Sequence, residues 1–129
     1  MQQTIGAIAL LVPDYDAAIA FYVGKLGFDL IEDTHLSEAK RWVLVAPPGS
    51  SETRLLLAQA DGQDQVKAIG NQTGGRVFLF LHTDDFDRDH ARMRANEVEF
   101  LESPREEVYG KVAVFRDPFG NKWDLIERY

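Results

Sequence analysis

Two side chains in this sequence have the chemistry of a general acid or base, Asp124 and His82. Asp124 stands between Trp123 and Leu125 in an apolar segment that predicts a strand. A carboxylate buried there must be paired with a cation or have a raised pKa, so either an arginine partner or a role as a general base would explain it. An imidazole in a cavity would titrate near neutral pH. The alternative for His82 is a strand-end histidine hydrogen-bonded to Asp84 or to the backbone.

Five further residues have side chains suited to holding a ligand: Arg41, Trp42, Arg54, Arg76 and Tyr109. A guanidinium can pair with Asp124 or hold an anionic substrate group through two parallel hydrogen bonds. Either role is open to Arg54 and Arg76. Trp42 and Tyr109 supply flat, rigid rings of the kind that line ligand cavities. The alternative for this set is structural, as surface arginines at strand ends and as rings packed in the core or at a rim.

The composition predicts a single domain that can bury a core. The 129 residues are 45% hydrophobic, and the net charge of -7 is opposite to the basic surface that nucleic-acid binding requires. The absence of cysteine excludes disulfides and thiolate chemistry, which fits a reducing compartment. No apolar run approaches the roughly 20 residues of a membrane helix, and the N-terminal residues lack the basic flank of a signal peptide. We therefore expect a soluble, cytoplasmic protein with no nucleic-acid or membrane partner.

The chain is an internal repeat with a period of about 70 residues. Asp14 and Asp85 each follow an apolar run, and each opens a helical segment. With a one-residue gap, residues 26–30 then align with residues 96–100. Half of such a repeat cannot bury both its helix and its sheet, so the two modules are expected to pack together. The expected division is a first module at 1–60, a linker at 61–75 and a second module at 76–129.

Apolar periodicity predicts a β-α-β-β-β order in the first module. Residues 5–12 are almost continuously apolar, which predicts a strand buried on both faces. Asp14 or Asp16 can cap the helix that follows, and Gly27 can end it in the left-handed conformation. Three more strands are predicted, at 28–32, 41–46 and 53–58.

The second module repeats this order. Residues 76–83 predict a strand whose even-numbered side chains share one face. Asp87 is predicted to cap a helix that ends near Ala95, and Asn96 to take the place of Gly27. Three further strands are predicted, at 98–101, 112–116 and 122–127.

The chain resembles the vicinal oxygen chelate superfamily, which includes glyoxalase I, extradiol dioxygenases, fosfomycin resistance enzymes and bleomycin resistance proteins. The resemblance rests on the two β-α-β-β-β modules, on Asp14-Tyr15-Asp16 before the first helix, and on Asp117-Pro118-Phe119-Gly120-Asn121 before the last strand. It implies an α+β fold in which mixed sheets curl into a cup around a small organic molecule. It further implies a divalent metal in that cup and, commonly, a homodimer.

The resemblance also implies where four metal ligands would stand. Three of those positions hold Ala7, Leu56 and Phe78, and the fourth holds Asp124. Alanine, leucine and phenylalanine have no lone pairs to donate, and a catalytic metal needs at least two or three protein ligands. We therefore expect the usual metal centre, and any other cofactor, to be absent.

A relocated metal site at His82 and Asp124 is the alternative. His82 cannot reach the Phe78 position, because four residues of strand span roughly 13 Å while a metal–nitrogen bond is about 2.1 Å. Two functions therefore remain open. One is a metal-free protein that binds a small organic molecule. The other is a glyoxalase- or dioxygenase-type enzyme that uses a rearranged metal site or acid–base chemistry at Asp124 and His82.

Overall fold

Each half of the chain folds around its own sheet. The computed structural model describes residues 1–129, which divide into two compact units, Met1–Ile69 and Gly70–Tyr129. Both units combine a mixed sheet with helices, so the predicted α+β class is confirmed. None of the helices is long and apolar enough to span a membrane.

The first unit is built on a four-stranded sheet. Its elements are β1 (Ala7–Val12), α1 (Tyr15–Ile19), a π-helical turn (Ala20–Lys25), β2 (Asp29–His35), β3 (Arg41–Ala46), β4 (Arg54–Gln59) and α2 (Gln63–Ala68). The strand order is β1-β4-β3-β2. β1 runs parallel to β4, and the other neighbouring strands are antiparallel.

Only one face of this sheet is packed. Leu10 and Val12 of β1 are fully buried, whereas Ala7 and Ala9 on the other face are exposed. The prediction that this strand is buried on both faces is wrong for the unit, because side chains alternate across a strand and only one face is covered. The covered face of the neighbouring strands carries the buried residues Val43, Val45, Leu55 and Leu57.

The first helix begins at one aspartate and ends one residue later than a plain α-helix would. The Asp14 carboxylate accepts a hydrogen bond of 2.8 Å from the backbone N–H of Ala17, so Asp14 and not Asp16 is the cap. In the π-helical turn the N–H of Leu26 donates to the carbonyl of Phe21, five residues back. Gly27 then adopts a φ of 85°, as predicted.

The second unit has the same plan with a broken edge strand. Its elements are β5 (Leu79–His82), α3 (Phe86–Ala95), β6 (Glu99–Phe100), β7 (Arg105–Glu107), β8 (Gly110–Arg116) and β9 (Lys122–Arg128). The strand order is β5-β9-β8-β6, and β7 also pairs with β8. β5 runs parallel to β9, while the pairs of β6, β7 and β9 with β8 are antiparallel.

Two details at the ends of α3 correct the sequence prediction. The helix is capped by Asp85, whose carboxylate accepts a hydrogen bond of 3.0 Å from the N–H of Arg88, while Asp87 lies inside the first turn. The left-handed residue after the helix is Glu97, with a φ of 65°, because Asn96 has a φ of -89°. Here the N–H of Asn96 reaches back only four residues, so α3 is one residue shorter than its counterpart.

The strand predicted at 98–101 is found as the two-residue β6, and a second short strand that was not predicted, β7, follows it along β8. Glu99 pairs with Arg116 in β6, and Arg105 pairs with Val112 in β7, which shifts the register by two residues across the gap. The matching edge strand of the first unit has a milder irregularity between Leu30 and Glu32.

The Asp117–Asn121 turn between β8 and β9 is held by buried hydrogen bonds. One carboxylate oxygen of Asp117 accepts from the backbone N–H groups of Phe119 and Asn121, both at 2.9 Å. The other accepts from the side-chain amide of Asn121 at 2.7 Å. Both side chains are buried, so this turn serves the fold.

Candidate functional site

The open faces of the two sheets carry the candidate residues. In the first unit, strand pairing places Ala9, Leu56 and Leu44 in one row across β1, β4 and β3. In the second unit, it places Phe80, Asp124 and Val114 in one row across β5, β9 and β8. Neither row lies on the face that the main helix of its unit covers.

All four positions expected to bind a metal lie on these open faces. Ala7 and Leu56 belong to the first, and Phe78 and Asp124 to the second. Three of the four side chains have no donor atom, so this set does not fit a divalent metal. Nor does any group of three His, Cys, Asp or Glu side chains lie close enough together to hold an ion.

A cavity of about 460 Å³ opens in the first unit where β3 begins and β4 ends. Its apolar wall includes Trp42, Leu56 and Ala58, and Trp42 is 38% exposed. Trp42 and Ala58 lie one step beyond the paired residues Val43 and Leu57, so a small side chain stands across from the indole ring. The rim is polar and includes Lys40, Gln59, Asp61 and Gln65.

Arg41 lines the same cavity, but its donors are used within the protein. Its Nε and Nη2 donate to the two carboxylate oxygens of Asp33 at 3.1 and 2.7 Å, and its Nη1 donates to Asp16 at 2.8 Å. The guanidinium also lies over the ring of Tyr15, 5.2 Å from its centroid. Hydrogen bonds to Asp33 and then Asp16 raise the pKa of Arg41 further. These contacts hold Arg41 in place as the part of the cavity wall next to Trp42.

Asp124 occupies an unusual position on the second open face. Its Oδ1 is buried and has no hydrogen-bond partner. Burial raises the pKa of this carboxyl, an effect that the charge of Arg105 opposes and that of Glu102 reinforces. The arginine partner considered from the sequence is therefore not hydrogen-bonded to Oδ1, although a cation lies near.

Arg105 is that nearby cation, and two glutamates engage it. Its Nε donates to Glu102 and its Nη1 to Glu107, both at 2.6 Å. Arg105 pairs with Val112, which shares the face of Val114 and Asp124. The positive charge of Arg105 that acts on Asp124 is thus shared by other carboxylates.

His82 lies on the same face as Asp124 but not beside it. His82 pairs with Ile126, two residues along β9 from Asp124, which makes the two side chains diagonal neighbours with Cα atoms roughly 7–8 Å apart. His82 is exposed, and Asp84, its suggested partner, is paired with Arg88 at 2.9 Å.

The other predicted ligand-binding residues are scattered. Arg54 pairs with Ala7 on the first open face, and its buried Nε has no hydrogen-bond partner. Tyr109, 44% exposed, lies in the β7–β8 turn. Arg76 is exposed and lies in a bend outside the strand that was predicted at 76–83, because pairing with β9 begins only at Phe78. Gly74 and Gly75, both with positive φ, turn the chain just before it.

A family model, the Glyoxalase/Bleomycin resistance protein/Dioxygenase superfamily, matches residues 4–125. The chain belongs to this superfamily. The resemblance inferred from the two modules and the closing turn is confirmed.

The chain is similar to one curated protein in sequence and to two solved structures in fold. An uncharacterized protein of Shewanella frigidimarina is 59% identical over 128 residues, covering 98% of this chain and 95% of that protein. The crystal structure of UcmS2 has a TM-score of 0.85 at 29% identity and covers 98% of each chain. TnmS3, an antibiotic binding protein from Streptomyces sp. CB03234, has a TM-score of 0.78 at 31% identity, covering 100% of this chain and 98% of its own.

Within this superfamily fold, sequence reasoning missed two contributors to the second open face. Phe80 is 58% exposed and lies directly opposite Asp124. Its place between Phe78 and His82 in a period-two pattern was the signal that could have found it. The pairs of Arg105 with Glu102 and Glu107 had no such signal, because they depend on the break between β6 and β7.

His90 is partly buried and packs against two aromatic rings. Its ring packs between Phe86 and Phe100, with centroid distances of 5.3 and 4.4 Å. Burial, and then the charge of Arg94, lowers the pKa of His90. It lines an open hollow of about 550 Å³ beside the broken edge strand. His35 is exposed.

Proposed function

We propose that this chain is a binding protein for a small organic molecule with a flat, largely apolar part, and that it works without the superfamily's metal centre. The observation that carries this proposal is Leu56. It stands at a position where the superfamily implies a metal ligand, and it forms part of a cavity wall with Trp42. An indole ring beside an isobutyl group offers a surface for an aromatic ligand and no lone pair for a metal ion.

The comparison with TnmS3 supports the same function. That protein is described as antibiotic binding, and it shares the fold over nearly the full length of both chains. Loss of three metal-ligand positions is compatible with binding, which needs shape and contact area, but not with Lewis-acid chemistry at the usual centre.

The proposal includes a homodimer in the cytoplasm. The aromatic side chains of Trp42 and Phe80 remain exposed on the open sheet faces. Apolar surface of this kind marks interaction or ligand sites.

A second candidate is an enzyme that uses Asp124 as a general base, with His82 as a further proton carrier. The unpaired Oδ1 and the raised pKa of Asp124 favour it. In that case Asp124→Asn would abolish turnover while the protein stays folded.

Ligand screening with two opposed cavity variants tests the binding function. We expect aromatic natural-product antibiotics to raise the melting temperature of the wild-type chain and to give a defined Kd by calorimetry. Trp42→Ala removes the ring, and Ala58→Leu fills the space across from it, so each should weaken binding about tenfold or more.

Leu36→Ala is the matched control, because Leu36 is an exposed apolar residue of the same unit that lies outside the cavity. Equal loss of affinity in all three variants, or binding that requires added Ni²⁺ or Zn²⁺, would refute the proposal.

A further inference from the structure

One buried polar atom on the second open face lacks an explanation within the fold. Oδ1 of Asp124 is inaccessible to solvent and accepts no hydrogen bond. Buried acceptors without a partner are rare in folded proteins, and each one calls for a functional or structural reason.

The fold does not supply the missing partner from the charged groups around Asp124. Arg105 is held by Glu102 and Glu107. Lys122, two residues along the same face of β9, donates to the carbonyl of Gly75 at 3.2 Å. Glu102 adds negative charge instead of relieving it.

The immediate neighbours of Asp124 across the sheet are apolar or aromatic. Phe80 pairs with it from β5 and is 58% exposed, and Val114 pairs with it from β8. An exposed benzyl ring beside a carboxylate is a favourable place for an organic ammonium, which gains from the charge and from the ring face together. An anionic group would meet the carboxylates of Asp124 and Glu102 there.

We propose that Asp124 and Phe80 form a subsite that selects a ligand carrying a protonated amine. This inference goes beyond the proposed function, because it gives the second unit a site of its own for an organic ammonium. The carboxylate at the fourth metal-ligand position thus binds the ligand directly, and the ammonium approaches from its exposed side, since Asp124 is only partly buried. A bound ammonium would also offset the burial that raises the pKa of Asp124.

Three probes that share one ring system test the subsite: 1-naphthylmethylamine, 1-naphthalenemethanol and 1-naphthaleneacetate. Calorimetry on the full chain should show the amine binding about tenfold more tightly than the alcohol, with the acetate weakest. Asp124→Asn, which keeps the shape of the side chain, should remove the preference for the amine and leave the affinity for the alcohol within about twofold. Phe80→Leu should weaken the amine more than the alcohol.

Asp84→Asn is the matched control, because it makes the same change in net charge on an exposed residue outside the subsite. It should leave the order of the three probes unchanged. The melting temperature of each variant shows that it is folded.

Equal affinity for the three probes, or an Asp124→Asn variant that weakens all three alike, overturns the subsite. If the three probes bind equally and the screened antibiotics still bind in a way that Trp42→Ala weakens, the binding function stands and only the subsite fails. If neither the probes nor the screened antibiotics bind, both the subsite and the binding function fail.

Discussion

The folded protein disfavours the ionised form of the Asp124 carboxyl. Because burial raises the pKa of this carboxyl above its ordinary value of 3.8, the folded chain holds the proton more tightly than the unfolded chain does. The resulting contribution to stability is fully present below pH 3.8 and is lost as the pH rises through the pKa of the folded state. Above that range the buried charge opposes folding, as is common for residues kept for function.

Replacing this carboxylate should therefore stabilise the protein at neutral pH. We expect Asp124→Asn to increase the free energy of unfolding at pH 7 by less than about 1 kcal/mol, since an amide is cheaper to bury than a charge and solvent screens a carboxylate that is only partly buried. The gain should shrink towards pH 4. Urea unfolding at pH 4, 5.5 and 7 measures it, and a variant less stable than wild type at pH 7 would show that the carboxylate is paired in solution.

At the scale of single residues, the sequence showed that Asp124 is unusual but not why. A carboxylate between Trp123 and Leu125 predicts burial, and Asp124 is partly buried, with its Oδ1 inaccessible to solvent. Its lack of a partner depends on Arg105 being engaged by Glu102 and Glu107, a contact set by the break in a distant edge strand. Local spacing carries no information about such a contact.

At the scale of elements, the first helical segment is one residue longer than α3. The π-helical turn accommodates the extra residue. The N–H of Leu26 reaches back five residues to Phe21, whereas that of Asn96 reaches back four to Arg92. The one-residue gap needed to align the two halves of the sequence therefore has a physical location. It also explains why the left-handed residues are Gly27 and Glu97.

Deleting a residue should be tolerated only where this turn can relax. We expect a chain without Gly24, an exposed residue of the π-helical turn, to form a regular α-helix there and to melt within a few degrees of wild type. α3 has no such turn that could absorb the deletion of Ala91. That deletion would rotate the buried Met93 by about 100° and should unfold the second unit.

Thermal melting followed by circular dichroism distinguishes the two deletions. Equal destabilisation by both would contradict the assignment of the extra residue to the π-helical turn.

Elements with apolar periodicity were predictable, and those without it were not. Arg41–Ala46 was predicted with the observed bounds of β3, because its side chains alternate between a packed and an open face. Arg105–Glu107 has no apolar residue and was missed, since only its hydrogen bonds to β8 make it a strand.

At the scale of the whole molecule, the fold was predictable and the activity was not. The duplicated order of elements and the closing turn led to the superfamily that the family model then confirmed. Fold alone does not determine chemistry, and the distinction rests on a few open-face residues such as Leu56 and Asp124. Their environment depends on strand pairing that the sequence does not state.

Metal addition or removal should leave the molecule unchanged. Because three of the four ligand positions hold Ala7, Leu56 and Phe78, we expect less than stoichiometric metal by elemental analysis of the untagged protein. We also expect no rise in Tm with micromolar Ni²⁺, Zn²⁺, Mn²⁺ or Fe²⁺, and no fall with a chelator. A Tm increase of several degrees that Asp124→Asn abolishes would instead establish a rearranged metal site.

The turn from Asp117 to Asn121 has a consequence for how such proteins diverge. Its carboxylate and amide are consumed by hydrogen bonds that hold the last strand in place, so any descendant that folds this way has reason to retain them. The open-face positions make no such hydrogen bonds, so their residue types can change once a metal is no longer used. Membership of the superfamily is therefore preserved by residues that maintain the fold, and it can persist after the original activity has been lost.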